Sequence, residues 1–176
     1  MPADDLIFLD EFGITLTMTR TYARAPRGQR AVVTEPFQQG PNCSVISAMG
    51  VDGLCAPFLI EGAINSEIFT RYVEQFLVPC LRPDQQVWMD NVKFHSAPKA
   101  VAAITATGAR VCYLPTYSPD FNPMEHGISK IKEHLRAAKA RTPRTLTSAL
   151  VAALDSVTTG DIHGWFTHCG YVFSLE

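Results

Sequence analysis

The sequence lacks the features that would place the protein in a specialised class. Only 18% of the 176 residues are charged and 47% are hydrophobic, a composition that excludes intrinsically disordered and fibrous chains. No uninterrupted apolar run reaches the roughly 18 residues of a membrane span, and no basic start precedes an apolar segment at the N-terminus. We therefore expect a soluble, untargeted protein with no membrane among its partners.

The cysteines also exclude two kinds of structural support. They are odd in number, widely separated and never arranged as a CxxC pair: Cys43, Cys55, Cys80, Cys112 and Cys169. This spacing argues against a disulfide framework and against a cysteine-ligated zinc site. We expect reduced, mostly buried thiols in a cytoplasmic protein. A length of 176 residues suits one domain, so we expect residues 1–176 to share a single core.

The charge is distributed unevenly, although the net formal charge is only −2. Ten of the 15 basic residues lie in two short stretches, one of four arginines and one of six lysines and arginines: Arg20, Arg24, Arg27, Arg30, Lys130, Lys132, Arg136, Lys139, Arg141 and Arg144. Such segregation favours a polyanion-binding face on an otherwise acidic body. A solvated loop and a solvated helix face would give the same pattern.

The hydrophobic pattern predicts strands first and alternating helices and strands afterwards. Residues 6–9 predict a buried strand that ends at Asp10, with residues 15–22 as a hairpin partner. A second hairpin, residues 43–49 and 54–64, turns at Gly50 to Gly53, and a short strand is possible at residues 31–33. The remaining predicted elements are a helix opened by Ser66 and closed by Pro79, strand 87–89, helix 98–107, strand 110–114, a long helix capped by Asn122, and helix 145–157. This order predicts an α/β sheet with antiparallel first strands, flanked by helices.

Two aspartates stand at the predicted ends of buried strands, where ligand sites form in open α/β sheets. They are Asp10 and Asp90, and Glu125 follows Asp90 after 34 intervening residues in the first turn of the long helix. Three convergent carboxylates would suit Mg²⁺ or Mn²⁺ but not Zn²⁺. Two such ions roughly 4 Å apart can promote phosphodiester cleavage.

Each of these acids also has a purely structural interpretation. Asp10 and Asp90 could be turn or cap residues, and Glu125 could complete a capping box with Asn122. One observation favours function for Glu125. It shares a helix stripe with Ser129, Lys132 and Arg136 at steps of four, three and four residues, which would place a metal ligand beside phosphate-binding cations.

Several motifs together resemble a known family. They are Phe8-Leu-Asp10-Glu-Phe-Gly13, Met89-Asp90-Asn91 with His95, Tyr117-Ser-Pro-Asp-Phe-Asn-Pro-Met-Glu125 and Ser129-Lys-Ile-Lys132. The sequence is similar to bacterial insertion-sequence transposases of the mariner-like branch of the DDE superfamily. The resemblance extends through the arginine-rich stretch and the segment from Gly164 to Gly170, and therefore covers nearly the whole chain.

The resemblance implies a ribonuclease H-like fold with Asp10, Asp90 and Glu125 as catalytic, metal-binding acids for two Mg²⁺ or Mn²⁺ ions. It implies hydrolysis at transposon ends and attack of the released 3′-hydroxyl on target DNA, usually at a TA dinucleotide. Asn91 and His95 would support the site. Eight basic residues would bind double-stranded DNA: Arg20, Arg24, Arg27, Arg30, Lys130, Lys132, Arg136 and Lys139.

The family likeness also implies a homodimer on DNA and no small-molecule substrate. Its members carry an N-terminal helix-turn-helix region that reads the transposon ends, which we expect to be absent from this chain, leaving a catalytic domain that binds ends weakly by itself. Two alternatives stay open: a different nuclease on the same fold, and a truncated, non-catalytic remnant that binds DNA or a full-length transposase.

Overall fold

A five-stranded mixed sheet forms the centre of the computed structural model, which describes residues 3–20, 22–32, 40–116 and 118–173. The strands are β1 (Leu6–Ile14), β2 (Cys43–Gly50), β3 (Gly53–Glu61), β4 (Gln86–Met89) and β5 (Arg110–Tyr113), in the spatial order β3-β2-β1-β4-β5. The pairs β1–β2 and β2–β3 are antiparallel, whereas β1–β4 and β4–β5 are parallel. The predicted ribonuclease H-like α/β fold is confirmed.

Helices cover both faces of this sheet. They are α1 (Ser66–Tyr72), which continues through a π-helical turn (Val73–Leu77) and a 3-10 turn (Val78–Cys80), α2 (Pro98–Ala106), α3 (Pro123–Ala138), α4 (Pro143–Asp155) and α5 (Thr159–His168). Buried side chains of α3, α4 and α5 form one core cluster with β1 and β2. Those of α1 and α2 form a second cluster on the opposite face.

Strand β1 contributes to both clusters because successive side chains of a strand point to opposite faces. Phe8 and Phe12 pack on the α3 side, and the Phe8 ring meets Phe166 of α5 edge-on with centroids 5.4 Å apart. Ile7 and Leu9 pack on the α1 and α2 side. By the same alternation Asp10 faces α3, and Glu11 faces α1 and α2.

The first strand differs from its sequence-based prediction. It does not end at Asp10 but continues to Ile14, because β2 supplies antiparallel partners for residues 8–14. The predicted hairpin strand at residues 15–22 is wrong for its described part, which is turn and coil. Ala31 and Val32 are coil as well, and Val33 lies outside the described residues.

The helices differ at three points. Asn65, and not Ser66, caps α1, since its Oδ1 accepts hydrogen bonds from the backbone N–H groups of Glu67 and Ile68. Pro79 does not close that helix, which continues as a 3-10 turn to Cys80. Helix α5 was not predicted at all. The other predicted elements are present, and Asn122 caps α3 as expected.

The thiols are all free, as expected, but of the five only that of Cys169 is buried. A search of the described residues for a helix long and apolar enough to cross a membrane finds none.

Candidate active site

The pairing of β1 with β4 brings the two aspartates to one place. The parallel register aligns Phe8 with Trp88, and two residues further along come Asp10 and Asp90. Asp10 lies within β1 and is buried, with 9% of its surface exposed. Asp90 follows directly after β4, where the chain leaves the sheet. The two strands are neighbours, which is the condition under which their carboxylates can meet.

The N-terminus of α3 adds the third acid to the same cleft. Asp10, Asp90 and Glu125 all line a cavity of about 450 Å³ between β1, the loops after β4 and β5, and the start of α3. Asn91 and Asn122 line it too. Carboxylates separated by 79 and 34 residues along the chain therefore converge on one cleft.

The charge of this cleft fits a cation. Burial raises the pKa of Asp10 to about 7, opposed by the hydrogen bond from the Glu11 backbone N–H and reinforced by the negative charges of Glu11, Glu125 and Asp90. Mutually repelling carboxylates with hard oxygen donors suit Mg²⁺ or Mn²⁺. Within the described residues, however, no three His, Cys, Asp or Glu side chains are grouped closely enough to hold a metal ion. The acids share the cleft without forming a closed coordination cage.

Asn122 connects two of the elements that build the cleft. Its Nδ2 donates a hydrogen bond of 2.7 Å to Oδ2 of Asp10, and its Oδ1 accepts one from the Met124 backbone N–H. The side chain is nearly fully buried, with 4% exposed. Sequence reasoning identified Asn122 as a helix cap but missed its contact with Asp10. The Asn-Pro pair at the helix start carries no signal for a partner 112 residues away.

The Glu125 side chain does not form a capping box with Asn122. The backbone N–H of Asn122, which a capping glutamate would accept, donates instead to the Pro119 carbonyl over 2.9 Å. Among the described residues, no side-chain hydrogen bond to the Glu125 carboxylate is present. The side chain is exposed and lines the cleft, so its carboxylate is available to a ligand.

His95 lies behind Asp90 and not in an exposed loop. Its ring is fully buried, and Nδ1 is 2.7 Å from Oδ1 of Asp90. On its other side Nε2 is 3.1 Å from Oε2 of Glu11. Burial lowers the pKa of His95, but the close contacts with the Asp90 and Glu11 carboxylates and their negative charges outweigh burial and raise it to about 9. The same His95 contact is the main reason that the pKa of Asp90 is below its usual value.

Asn91 connects the loop after β4 to the end of β5. Its Nδ2 donates a hydrogen bond of 2.5 Å to the Leu114 carbonyl. The adjacent Val92 backbone N–H donates to Oδ1 of Asp90 over 3.0 Å. The loop that carries Asp90 is therefore fixed at both sides, and Asn91 has a structural task in addition to lining the cleft.

The basic residues named from the sequence fall into different surroundings. Arg20 and Arg136 line one groove of about 510 Å³ together with Tyr22, Ser129 and Glu133. Lys132 lies over the Phe12 ring, with Nζ 5.8 Å from its centroid. Lys130 instead forms an ion pair of 2.6 Å with Asp161 of α5. Arg24, Arg27 and Arg30 are exposed on the segment after β1, and Lys139 ends α3.

The Arg141 side chain forms hydrogen bonds with the backbone at the start of the arginine-rich segment. One of its guanidinium nitrogens donates to the backbone carbonyls of Leu16 and Met18 over 2.8 and 3.3 Å. These carbonyls belong to the base of the arginine-rich segment. Arg141 therefore holds that segment against the junction of α3 and α4.

Solved structures of Mos1 mariner transposase share this fold. The Mos1 strand transfer complex superposes with a TM-score of 0.73 at 17% identity, covering 95% of this chain and 53% of that chain. The Mos1 paired end complex with Mg gives 0.73 at 17% identity, over 93% and 53%. The isolated catalytic domain of Mos1 gives 0.65 at 13% identity, over 94% and 79%. The chain thus spans about half the length of the transposase in the two complexes.

Sequence comparison gives the family itself. No curated protein sequence matches the chain significantly. A family model described as DDE superfamily endonuclease matches residues 5–147, a range that contains Asp10, Asp90 and Glu125. Since this match extends over most of the 176 residues, the chain belongs to the DDE superfamily endonucleases.

Proposed function

We propose that residues 1–176 are the catalytic domain of a transposase from a bacterial insertion sequence of the mariner-like branch. It hydrolyses phosphodiester bonds at transposon ends and transfers the released 3′-hydroxyl to target DNA, at TA sites. The observation that carries the proposal is the convergence of Asp10, Asp90 and Glu125 on one cleft in a chain of the DDE superfamily endonucleases.

Asp10, Asp90 and Glu125 would hold two Mg²⁺ or Mn²⁺ ions in this cleft. When bound, such ions activate an attacking oxygen and stabilise the leaving oxygen of a phosphodiester. The chain's own residues orient the ligands. Asn122 fixes one oxygen of Asp10, and His95 fixes one oxygen of Asp90. Glu125 enters from the exposed side of α3, which leaves the cleft open to a DNA strand.

The partner we propose is double-stranded DNA, both transposon end and target, bound by a homodimer in the bacterial cytoplasm at the nucleoid. Arg20 and Arg136 support this, because they line one groove and Arg136 lies on the stripe of α3 that begins at the exposed Glu125. Phosphate-binding cations on the stripe that carries Glu125 would guide the DNA backbone to the acids.

Nicking of supercoiled plasmid in Mn²⁺ or Mg²⁺ tests the proposed function. We expect metal-dependent nicking by the wild type and a loss of at least about 100-fold in Asp90→Asn, since metal-ion catalysis contributes several kcal/mol. Asp84→Asn is a matched control. Asp84 is exposed at the other end of β4 with φ of 69°, a conformation that asparagine tolerates well. Equal nicking by wild type and Asp90→Asn would contradict the proposal.

One observation favours a second candidate function, a non-catalytic remnant that binds DNA or a full-length transposase. The three acids line one cleft, yet they do not form a metal-binding group within the described residues. Such a remnant would bind DNA with no metal-dependent nicking, and Asp90→Asn would leave its affinity nearly unchanged. Parallel binding and nicking assays on the same two proteins separate the two functions.

A further inference from the structure

We propose that Glu11 is a positioning residue of the site, which holds the His95 ring so that this ring can fix the Asp90 carboxylate. The proposal rests on the proposed function, because Asp90 needs a fixed orientation only as a metal ligand. Glu11 follows Asp10 directly in β1. The alternation of the strand therefore places two neighbouring acids on opposite faces of the sheet, one in the cleft and one behind it.

The geometry behind Asp90 is a chain of three side chains. Oε2 of Glu11 is 3.1 Å from Nε2 of His95, and Nδ1 of His95 is 2.7 Å from Oδ1 of Asp90. The His95 side chain is fully buried, Glu11 is 23% exposed and Asp90 is 44% exposed. The two contacts thus connect Glu11, on the opposite face of the sheet, through His95 to the partly exposed Asp90 at the edge of the cleft.

Oε2 of Glu11 and Nε2 of His95 are the nearest polar partners that these two buried atoms have. Although Nε2 and Oε2 are 3.1 Å apart, their alignment falls short of a hydrogen bond. Both atoms are buried, and among the described residues neither has a hydrogen-bond partner. Because an unpaired buried polar atom is costly, a small rotation that completes the Glu11–His95 hydrogen bond is favoured. The pair therefore sets the orientation of the ring.

The surroundings leave the ring little freedom to adopt another orientation. The Phe69 ring of α1 lies 4.9 Å from the His95 ring, and the Phe94 ring lies 4.7 Å from it, measured between centroids. The Tyr113 hydroxyl donates to the His95 backbone carbonyl over 3.4 Å. Nδ1 is also 3.3 Å from the Asp90 backbone carbonyl, so the Glu11 carboxylate is the contact that holds the ring from the side opposite Asp90. Partners of this kind, one step behind a metal ligand, typically change metal affinity by about 10- to 100-fold.

A double-mutant cycle tests whether Glu11 acts on Asp90 through His95. The measurement is Mn²⁺ binding to the full chain by calorimetry. We expect Glu11→Ala to weaken Mn²⁺ binding by about 10-fold or more, and Glu11→Gln to retain most of the affinity because its amide oxygen can accept from Nε2. In a His95→Gln background, Glu11→Ala should have no further effect. Glu67→Ala is the control, since Glu67 is exposed on α1 and its carboxylate forms an ion pair with Arg71, away from His95 and Asp90. An equal loss in both backgrounds, or no loss at all, would overturn the proposal.

A readout without metal separates this proposal from the proposed function. In metal-free protein, the carboxyl ¹³C signal of Asp90 should shift in Glu11→Ala and return towards the wild-type position in Glu11→Gln. If the wild type neither binds Mn²⁺ nor nicks DNA, the proposed function fails, yet this signal still decides whether Glu11 positions Asp90. An Asp90 signal unchanged in Glu11→Ala would refute the positioning role. Glu11→Met, similar in size and without an oxygen, replaces Glu11→Ala if that variant does not fold.

Discussion

Asn122 donates a hydrogen bond from Nδ2 to Oδ2 of Asp10 over 2.7 Å while its Oδ1 caps helix α3. One buried side chain therefore connects the central strand to the helix that carries Glu125. The hydrogen bond holds the start of α3, and with it Glu125, against the strand that carries Asp10.

Asn122→Ala should lower the free energy of unfolding by about 1 to 3 kcal/mol, since it removes a helix cap and a buried hydrogen bond. It should also reduce nicking. Thr158→Ala is the matched control, because Thr158 caps α5 far from the cleft and should cost about 1 kcal/mol with full activity. Urea unfolding and plasmid nicking measure both effects. Unchanged nicking in Asn122→Ala would show that the contact with Asp10 has no functional role.

Glu125→Gln should abolish nicking with little change in stability. The Glu125 carboxylate makes no capping hydrogen bond, so its replacement by an isosteric amide should alter the free energy of unfolding by no more than about 0.5 kcal/mol. Retained activity would instead show that cleavage does not need the negative charge of the Glu125 carboxylate.

The stability of the metal-free protein should depend on pH through Asp10. Burial, the largest cause, raises the pKa of Asp10 from 3.8 to about 7. A raised pKa contributes stability that is fully present below pH 3.8 and is lost as the pH rises to about 7. Asp10→Asn removes this dependence, so the variant should gain stability relative to the wild type between pH 4 and pH 7.

Urea unfolding of both proteins in a chelator, at several pH values, measures that difference. His95 affects stability in a separate pH range. Its pKa is raised from 6.5 to about 9, so its stabilising contribution is lost as the pH rises between those values. His95 is present in both proteins, so its contribution largely cancels in the difference between their free energies of unfolding. A difference between wild type and Asp10→Asn that stays constant from pH 4 to pH 7 would contradict the prediction.

Arg136→Ala and Lys130→Ala should differ in their effect on DNA binding. Arg136 lines a groove with Arg20, and the loss of one phosphate contact should reduce the slope of log affinity against log salt by about 1. Lys130 is already paired with Asp161, so its removal should leave the slope unchanged. Electrophoretic shifts over a range of salt concentrations measure the slopes, and equal changes in both variants would be evidence against this distinction.

Arg141→Ala should loosen the base of the arginine-rich segment. It removes the hydrogen bonds to the Leu16 and Met18 carbonyls, and we expect hydrogen exchange of residues 15–20 to accelerate about tenfold, the equivalent of one hydrogen bond. Arg144→Ala is the control, since Arg144 is exposed and its side chain makes no hydrogen bond within the described part of the chain. Similar exchange in both variants would exclude an anchoring role.

Local patterns in the sequence predicted the five strands at least in part and placed Asp10 and Asp90 at strand ends, but they left open whether those two strands are neighbours. The Gly50 to Gly53 turn forms the expected hairpin, and the short apolar strands place Asp10 beside Asp90 because β1 and β4 are parallel. Helix α5 escaped prediction since Gly160 and Gly164 weaken its local helical signal. The length of β1 was missed because its second half is stabilised by β2, a partner some 35 residues away.

The contacts that arrange the site could not be predicted, since they join residues from opposite faces or distant segments. Asn122 and Asp10 are 112 residues apart. His95 was expected to support the site, but nothing in the sequence indicates that its ring is fully buried between Glu11 and Asp90. In the sequence Gly127 is only a residue of low helix propensity. In the structure it lies where α3 packs closely against β2. A Cβ there would lie 2.6 Å from the Met49 methyl group.

Asp10 belongs to the central strand of the sheet, with neighbours hydrogen-bonded on both sides, whereas Arg24, Arg27 and Arg30 are exposed on coil. Cooperative opening of a fold spares its central strand until last. The proposed function would therefore be divided between the most persistent strand of the protein and an exposed coil segment. Asp10 keeps its place for as long as the sheet exists, while the arginines, in the function proposed above, would adjust to the DNA duplex that they contact.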